Sequence, residues 1–456
     1  MSDKLSDDKS KIQQGVVMQY PNTVKAVRGS LLDISEVGSD LESIENNLRY
    51  IKDGLLIINQ GKVAFAGEWK EGKDSLPDSI RICDYRGKLI VPGFIDTHIH
   101  YPQMEIVGAY GEQLLEWLNT YTFPTEMKYG DKRYAKEMAG LFVKELLKNG
   151  TTTAMVFCSV HPESVDALFE VCDQRNMRMI AGKVMMDRNA PEELLDTPQS
   201  SYDDSRRLLK KWHNRNRLLY AITPRFAPTS SPEQLEKAMA LREEFPDAYV
   251  QTHLSENTDE IAWVESLFPE RKSYLDVYDH YRLTGERSVY AHCIHLDEQE
   301  WQTMAETGSS VAFCPTSNMY LGSGLFNYPK AVKDNVRVGM ATDVGAGTSF
   351  NMFQTLNEAY KVVQLQQQKL SALEGFYRAT LGGAHSLYLD DKIGNFNIGK
   401  EADFVVLDPM ATQVQQLRWD NSTTLSEKLF VLMTLGDDRN IYRTYVDGSM
   451  VYSSTR

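Results

Sequence analysis

Residues 89–100 read LIVPGFIDTHIH. An apolar run ends in two histidines, His98 and His100, two places apart. Side chains at i and i+2 of a strand share a face, so both imidazoles aim at one spot where the strand ends. Seven further segments of the same kind follow: TTTAMVF (151–157), MRMIAGKVMM (177–186), LLYAITPRF (218–226), AYVQTHLSE (248–256), SVYAHCIHL (288–296), SSVAFCPTSN (309–318) and VRVGMATDVG (336–345). Amphipathic stretches such as AKEMAGLFVKELLKNG and SPEQLEKAMALREEF lie between them. The latter has Ser231 to cap it, Pro232 in its first turn and Glu233 near its positive end. Eight strands alternating with helices predict a parallel α/β fold, a (β/α)8 TIM-like barrel. A doubly wound sheet usually opens its first turn with GxGxxG, whereas this first strand ends in DTHIH.

The two ends of the chain follow another pattern. Residues 55–67, LLIINQGKVAFAG, read as two strands joined at Asn59 to Lys62. FVVLD (404–408) and NIYRTYVDGSMVY (440–452) read as strands, the second turning at Asp447-Gly448. Neither end can form a core alone. They are expected to pack together as a small β-sandwich domain, 21–91 with 397–456, beside a barrel of 92–396. Residues 1–20 are polar and acidic and are expected to be disordered.

The 456 residues carry a formal net charge of −14. That argues against binding nucleic acid through a broad basic surface, because phosphate needs Lys and Arg to replace its counterions. No apolar h-region opens the sequence, and no apolar run nears the roughly 18 residues of a membrane span. No membrane association is expected. Cys83, Cys158, Cys172, Cys293 and Cys314 are scattered with no CxxC, which fits reduced thiols of a cytoplasmic protein.

Active-site groups of a barrel sit at the C-terminal ends of its strands, and the notable polar residues fall there. His98 and His100 end the first strand, His253 and Glu256 the fifth, His292 the sixth and Asp343 the eighth. Imidazoles with a carboxylate suit zinc, iron or manganese with one position left for water. Spacing alone does not say which of His98, His100, His253, His292 and Asp343 ligate. The remaining histidines, His161, His213, His280, His295 and His385, lie in helical or loop context and read as structural or exposed. A metal would lower the pKa of its water and favour hydrolysis. Glu256 is placed to act as general acid/base if a turn swings it inward, since it lies one place too far for the face of His253. The fourth strand ends Pro224-Arg225-Phe226 with no lysine to bridge a metal pair, and Lys183 sits inside the third strand. One metal is expected.

PGFIDTHIH, THLSE, AHC and ATD, in this order, resemble the amidohydrolase superfamily. YPQMEIVGAYGEQLLEWLNTYTFPTE, ITPRFAPTSSPE and FCPTSNMYLGSGLF are similar to the bacterial guanine deaminases within it, and the likeness runs from about residue 24 to the end. The resemblance implies a barrel of the amidohydrolase type with the composite β domain, and a homodimer. It implies one zinc per subunit on His98, His100, His253 and Asp343, with His292 bonded to the attacking water. Gln103 would contact the purine edge, Arg225 would donate to O6, and Phe226 would pack on the ring. His100, His253, Glu256 and Asp343 would border the substrate as well. Zinc-activated water would attack C2 of guanine while Glu256 protonates N3 and Asp343 passes on a proton, giving xanthine and ammonia. Trp117, in EQLLEWL, reads as core, with a place on the pocket wall as the alternative. The zinc deaminases that use HxE and PCxxC are excluded, because no PCxxC occurs. The alternatives are a related amidohydrolase for another amino-purine, nucleoside or triazine, and a non-catalytic scaffold on the same barrel.

Overall fold

The computed structural model describes residues 23–111 and 113–455. The expected disorder of 1–20 therefore lies outside the described residues. Among the described residues, four strands precede the barrel: β1 (Lys25–Ile34), β2 (Leu48–Asn59), β3 (Lys62–Glu68) and β4 (Ile82–Pro92). Then come β5 (Phe94–His100), β6 (Thr151–Phe157), β7 (Arg178–Gly182), the short β8 (Val184–Met185), β9 (Leu218–Pro224), β10 (Tyr249–Leu254), β11 (Ser288–His292), β12 (Ser310–Phe313) and β13 (Arg337–Met340). The chain closes with β14 (Phe404–Leu407), β15 (Ile441–Val446) and β16 (Ser449–Ser453).

Strands β5, β6, β7, β9, β10, β11, β12 and β13 pair in that order, all parallel, with β8 extending β7 against β9. The ends of the series meet: Asp343 N donates to His98 O at 3.0 Å and His100 N to Val344 O at 2.8 Å. This is the (β/α)8 barrel. Ile95, Met155, Ile180, Ala221, Tyr249, Val289 and Ala312 point inward from successive strands and fill it. The outer faces pack on helices such as Lys132–Lys148, whose buried Ala135, Met138, Ala139, Phe142, Val143 and Leu146 recur at helical spacing. Asp131 caps that helix by accepting from Arg133 N and Tyr134 N.

Three segments differ from their sequence reading. Residues 89–100 are two strands. Leu89–Pro92 belongs to β4 and pairs antiparallel with β14, and β5 starts only after Gly93. A Cβ on Gly93 would sit 2.0 Å from Thr152 Oγ1, so the crossing between sheets needs glycine. Lys183 interrupts 177–186 between β7 and β8. In 309–318 the strand stops at Phe313 and a helix, Pro315–Tyr320, takes the rest.

The termini form a seven-stranded sheet, β16-β15-β14-β4-β1-β2-β3. Pair β1–β4 is parallel and its other pairs antiparallel. The outer edge of β3 curls back onto the segment before β14, with Val63 N donating to Lys400 O and Gly399 N to Val63 O, both at 2.8 Å. The two halves so enclose Val27, Leu56, Ile90, Phe404 and Val406 in one apolar cluster. Strand β1 went unread in the sequence, because VKAVRGSLLDI lacks a clean alternation. The expected turns at Gln60-Gly61 and Asp447-Gly448 are present, with φ positive at all four residues. The five cysteines are all free.

Candidate active site

His98 and His100 end β5, His253 stands near the end of β10 and His292 ends β11, while Asp343 lies three residues past β13. The Nε2 atoms of His98 and His100 are 3.1 Å apart, and those of His100 and His253 3.2 Å. Asp343 Oδ1 lies 3.2 Å from His98 Nε2 and 3.3 Å from His100 Nε2. His98, His100 and His253 thus form one group that could hold a metal ion, and His98, His292 and Asp343 a second that shares His98; ligands about 2 Å from a tetrahedral zinc stand about 3.3 Å from one another. The proton count supports a cation there. His253 Nδ1 faces the Arg225 carbonyl at 2.7 Å, so it carries the proton and leaves a lone pair on Nε2. Burial lowers the pKa of His98, His100 (to about 3) and His253, so all three imidazoles are neutral. Clustered lone pairs and an anion, nearly without solvent, fit a metal ion. Phe157 packs behind His98, His100 and His253 with ring centroids 4.8 to 4.9 Å away.

Three of these positions depend on uncommon backbone geometry. Ser255, His292 and Asp343 have φ of 49°, 73° and 50°, a left-handed region that non-glycine residues seldom enter and that gathers at functional sites. Ser255 supplies the turn that swings Glu256 inward. Glu260 then holds the turn by accepting from Glu256 N at 2.9 Å and Asn257 N at 3.1 Å. Tyr274 Oη donates to its other oxygen at 2.8 Å. Burial, then the charge of Asp343, pushes the Glu256 carboxyl well above its ordinary pKa. Its Oε2 is 3.4 Å from His292 Nε2. His292 Nδ1 donates to Asn318 Oδ1 at 2.7 Å, which leaves Nε2 free to accept.

His100, Gln103, Arg225, Phe226, His253, Glu256, His292 and Asp343 all line one cavity of about 400 Å³, with His98 behind them. His161, His213, His280, His295 and His385 belong to neither metal-capable group of the described residues. Leu114, Trp117, Leu118 and Leu321 complete the apolar wall. Trp117, read as core, is buried but faces the cavity, and its Nε1 has no partner among the described residues. Glu126 escaped the sequence reading. It is fully buried and accepts from Arg225 Nη1 at 2.8 Å and Gln103 Nε2 at 2.9 Å. No local signal marks it, since FPTE is an ordinary helix start. Asn318 and Glu260 were missed for the same reason. Lys183 is bonded to Asp196 and the Val184 carbonyl, away from the cavity.

A parallel barrel with His/Asp groups at its C-terminal mouth that could hold a metal ion has the form of a hydrolase of the amidohydrolase type, and residues 89–451 match the amidohydrolase family. The chain belongs to that family. It is 66% identical to a guanine deaminase of Escherichia coli (strain K12), over 96% of this chain and 99% of that one. The solved structure of the E. coli guanine deaminase superposes with a TM-score of 0.93 at 67% identity, covering 94% of this chain and 99% of that one. A guanine deaminase from C. acetobutylicum, solved with guanine bound in its active site, gives a TM-score of 0.84 at 32% identity, over 94% and 100% of the two chains.

Proposed function

We propose that this chain is a guanine deaminase, converting guanine and water to xanthine and ammonia. The observation that carries this reading is one cavity in which Arg225, anchored by Glu126, faces the same space as Glu256 and the His/Asp group. The likeness to guanine deaminases over nearly the whole chain supports it. We assign His98, His100, His253 and Asp343 to a single zinc ion, which when bound supplies Lewis acidity and lowers the pKa of a water.

The chain's own groups do the rest. Phe226 packs on the purine plane and Gln103 meets its edge. Glu126 takes part of Arg225, leaving the remaining guanidinium N–H groups to donate to O6. Adenine carries an amino donor at that position and would strand a buried cation, so it is rejected. Water attacks C2 with its oxygen directed by His292, whose Nε2 accepts a hydrogen bond. Asp343 accepts a water proton. Glu256, kept protonated by burial, donates to N3 as the C2–O bond forms, so negative charge does not accumulate on the ring. Asp343 then passes its proton to the exocyclic amino group, which leaves as ammonia, while the C2 hydroxyl proton returns to Glu256 and C2 becomes the carbonyl of xanthine.

The division into a β domain of 21–91 with 397–456 and a barrel of 92–396 belongs to the same reading, as do a homodimeric state and a cytoplasmic location. No helix among the described residues is long and apolar enough to cross a membrane. The test follows ammonia release and the ultraviolet change from guanine to xanthine with protein of known metal content. Activity should vanish with a chelator and return with zinc. No turnover by fully metal-loaded protein would refute guanine as substrate and direct the search to other amino-purines, nucleosides and triazines.

A further inference from the structure

At the opposite end of the barrel, where β13 begins, a cleft of about 750 Å³ is walled by Arg378, Arg337 and His385, with Ser39, Ser43 and Asn335 at its sides. The Arg378 side chain is decisive. The residue is 6% exposed, yet no carboxylate pairs with it. Its Nε donates to Tyr328 Oη at 3.0 Å, and the rings of Tyr377 and Tyr328 lie 5.1 and 5.5 Å from Cζ. Glu374 is reached only through Tyr328 Oη, 3.5 Å from its carboxylate. Neither Nη of Arg378 has an acceptor among the described residues. Arg337 spends Nη1 on the carbonyl and Nδ1 of His385, at 2.9 and 3.0 Å, and stacks on Tyr388. Asp390 Oδ1 lies 3.4 Å from His385 Nδ1. No Asp or Glu lines the cleft, in a chain with 63 acidic against 49 basic residues.

No carboxylate pairs with Arg378 directly, and its spare planar fork matches a tetrahedral oxyanion. Two guanidinium charges call for a dianion more than for a single carboxylate. A phosphate near neutral pH carries close to two negative charges and several strong acceptor oxygens. Ser39 and Asn335 can donate to the oxygens that the arginines leave, the Ser43 hydroxyl being held by the Asp40 carbonyl at 2.8 Å. We propose that this cleft binds a phosphate group, either free phosphate or that of a nucleoside monophosphate, separately from the metal cavity.

Titration calorimetry on the full-length, metal-loaded protein tests this, with inorganic phosphate and with a purine nucleoside 5′-monophosphate as probes. Asn335 is exposed and has φ of 58°, which aspartate tolerates, so Asn335→Asp adds a repelling carboxylate at the cleft without disturbing the fold. One anion should bind per chain. Arg378→Met and Asn335→Asp should each weaken it tenfold or more, and Asn335→Asp should keep wild-type turnover. If Arg378→Met does not fold, Asn335→Asp decides alone. Tighter binding of the nucleotide makes it the source of the phosphate, and equal binding makes free phosphate the ligand. Absence of binding by either probe, binding unchanged in Asn335→Asp, or binding lost when the metal is chelated would overturn the proposal.

Discussion

Arg225 and Glu256 carry opposite burdens in one cavity. Glu256 is held neutral by its surroundings, whereas Arg225 is a charge that survives burial because Glu126 matches it. Removing one member of such a buried pair costs about 3–5 kcal/mol, because the other is left unpaired. Arg225→Ala should therefore lower stability and also raise KM at least tenfold, with metal content unchanged. The double variant Arg225→Met with Glu126→Gln should recover most of the stability and none of the turnover. Thermal melts and steady-state kinetics separate these effects, and a KM unchanged in Arg225→Ala would show that another group reads the substrate. Glu256→Gln keeps the shape and loses the proton, so turnover should fall by about a hundredfold or more while metal stays stoichiometric. These residues stand in recognisable motifs, and their residue types announce their chemistry. Glu126 does not, because a carboxylate's partner is decided by what packs against it, 99 residues away in the case of Arg225.

At the scale of the element, the segment Ser255–Glu260 shows what periodicity leaves out. Strand β10 alternates, which places His253 toward the metal group and would send Glu256 to the other side. One left-handed residue and one capping carboxylate reverse that. Glu260→Ala should lower kcat by loosening this turn while KM and metal content stay near wild type, and Glu260→Gln should retain part of the activity because it can still accept from the backbone. Full activity in Glu260→Ala would remove the turn from the catalytic arrangement. The irregular helical run that carries Leu114, Trp117 and Leu118 onto the cavity was legible as an apolar helix, with Trp117 left between core and pocket wall. Its composition suits a core and a pocket wall equally, and only the neighbouring strand ends decide between the two.

Across the whole molecule, the barrel base is joined to the terminal sheet by a buried charge cluster. Glu401 Oε2 accepts from Arg178 Nε at 2.8 Å and Arg217 Nη2 at 2.6 Å, and Asp403 also pairs with Arg217. Against burial, the arginines hold the Glu401 carboxyl down at about 2, from an ordinary 4.5. A depression of that size contributes about 3 kcal/mol. Because the folded value is the lower one, the contribution is complete above about pH 4.5 and fades as pH falls toward 2. Unfolding free energy measured across that range should drop more steeply for wild type than for Glu401→Gln, which should also be less stable at neutral pH. The metal proposed for β5, β10 and the segment after β13 would add a second tie between distant parts of the chain. Chelation should lower the melting temperature, since a ligand at a thousandfold excess over its Kd adds about 4 kcal/mol to the folded state.

The sequence by itself determined the strand and helix alternation, the residue types at each strand end and the family. Those follow from local periodicity and from side-chain chemistry, both readable along the chain. Only the tertiary structure decided that LIVPGFIDTHIH serves two sheets, that Glu256 turns inward, and that Glu126, Glu260 and Asn318 support Arg225, Glu256 and His292. Each of these depends on groups far apart in sequence meeting in a space where water is nearly excluded, and no local pattern encodes such a meeting.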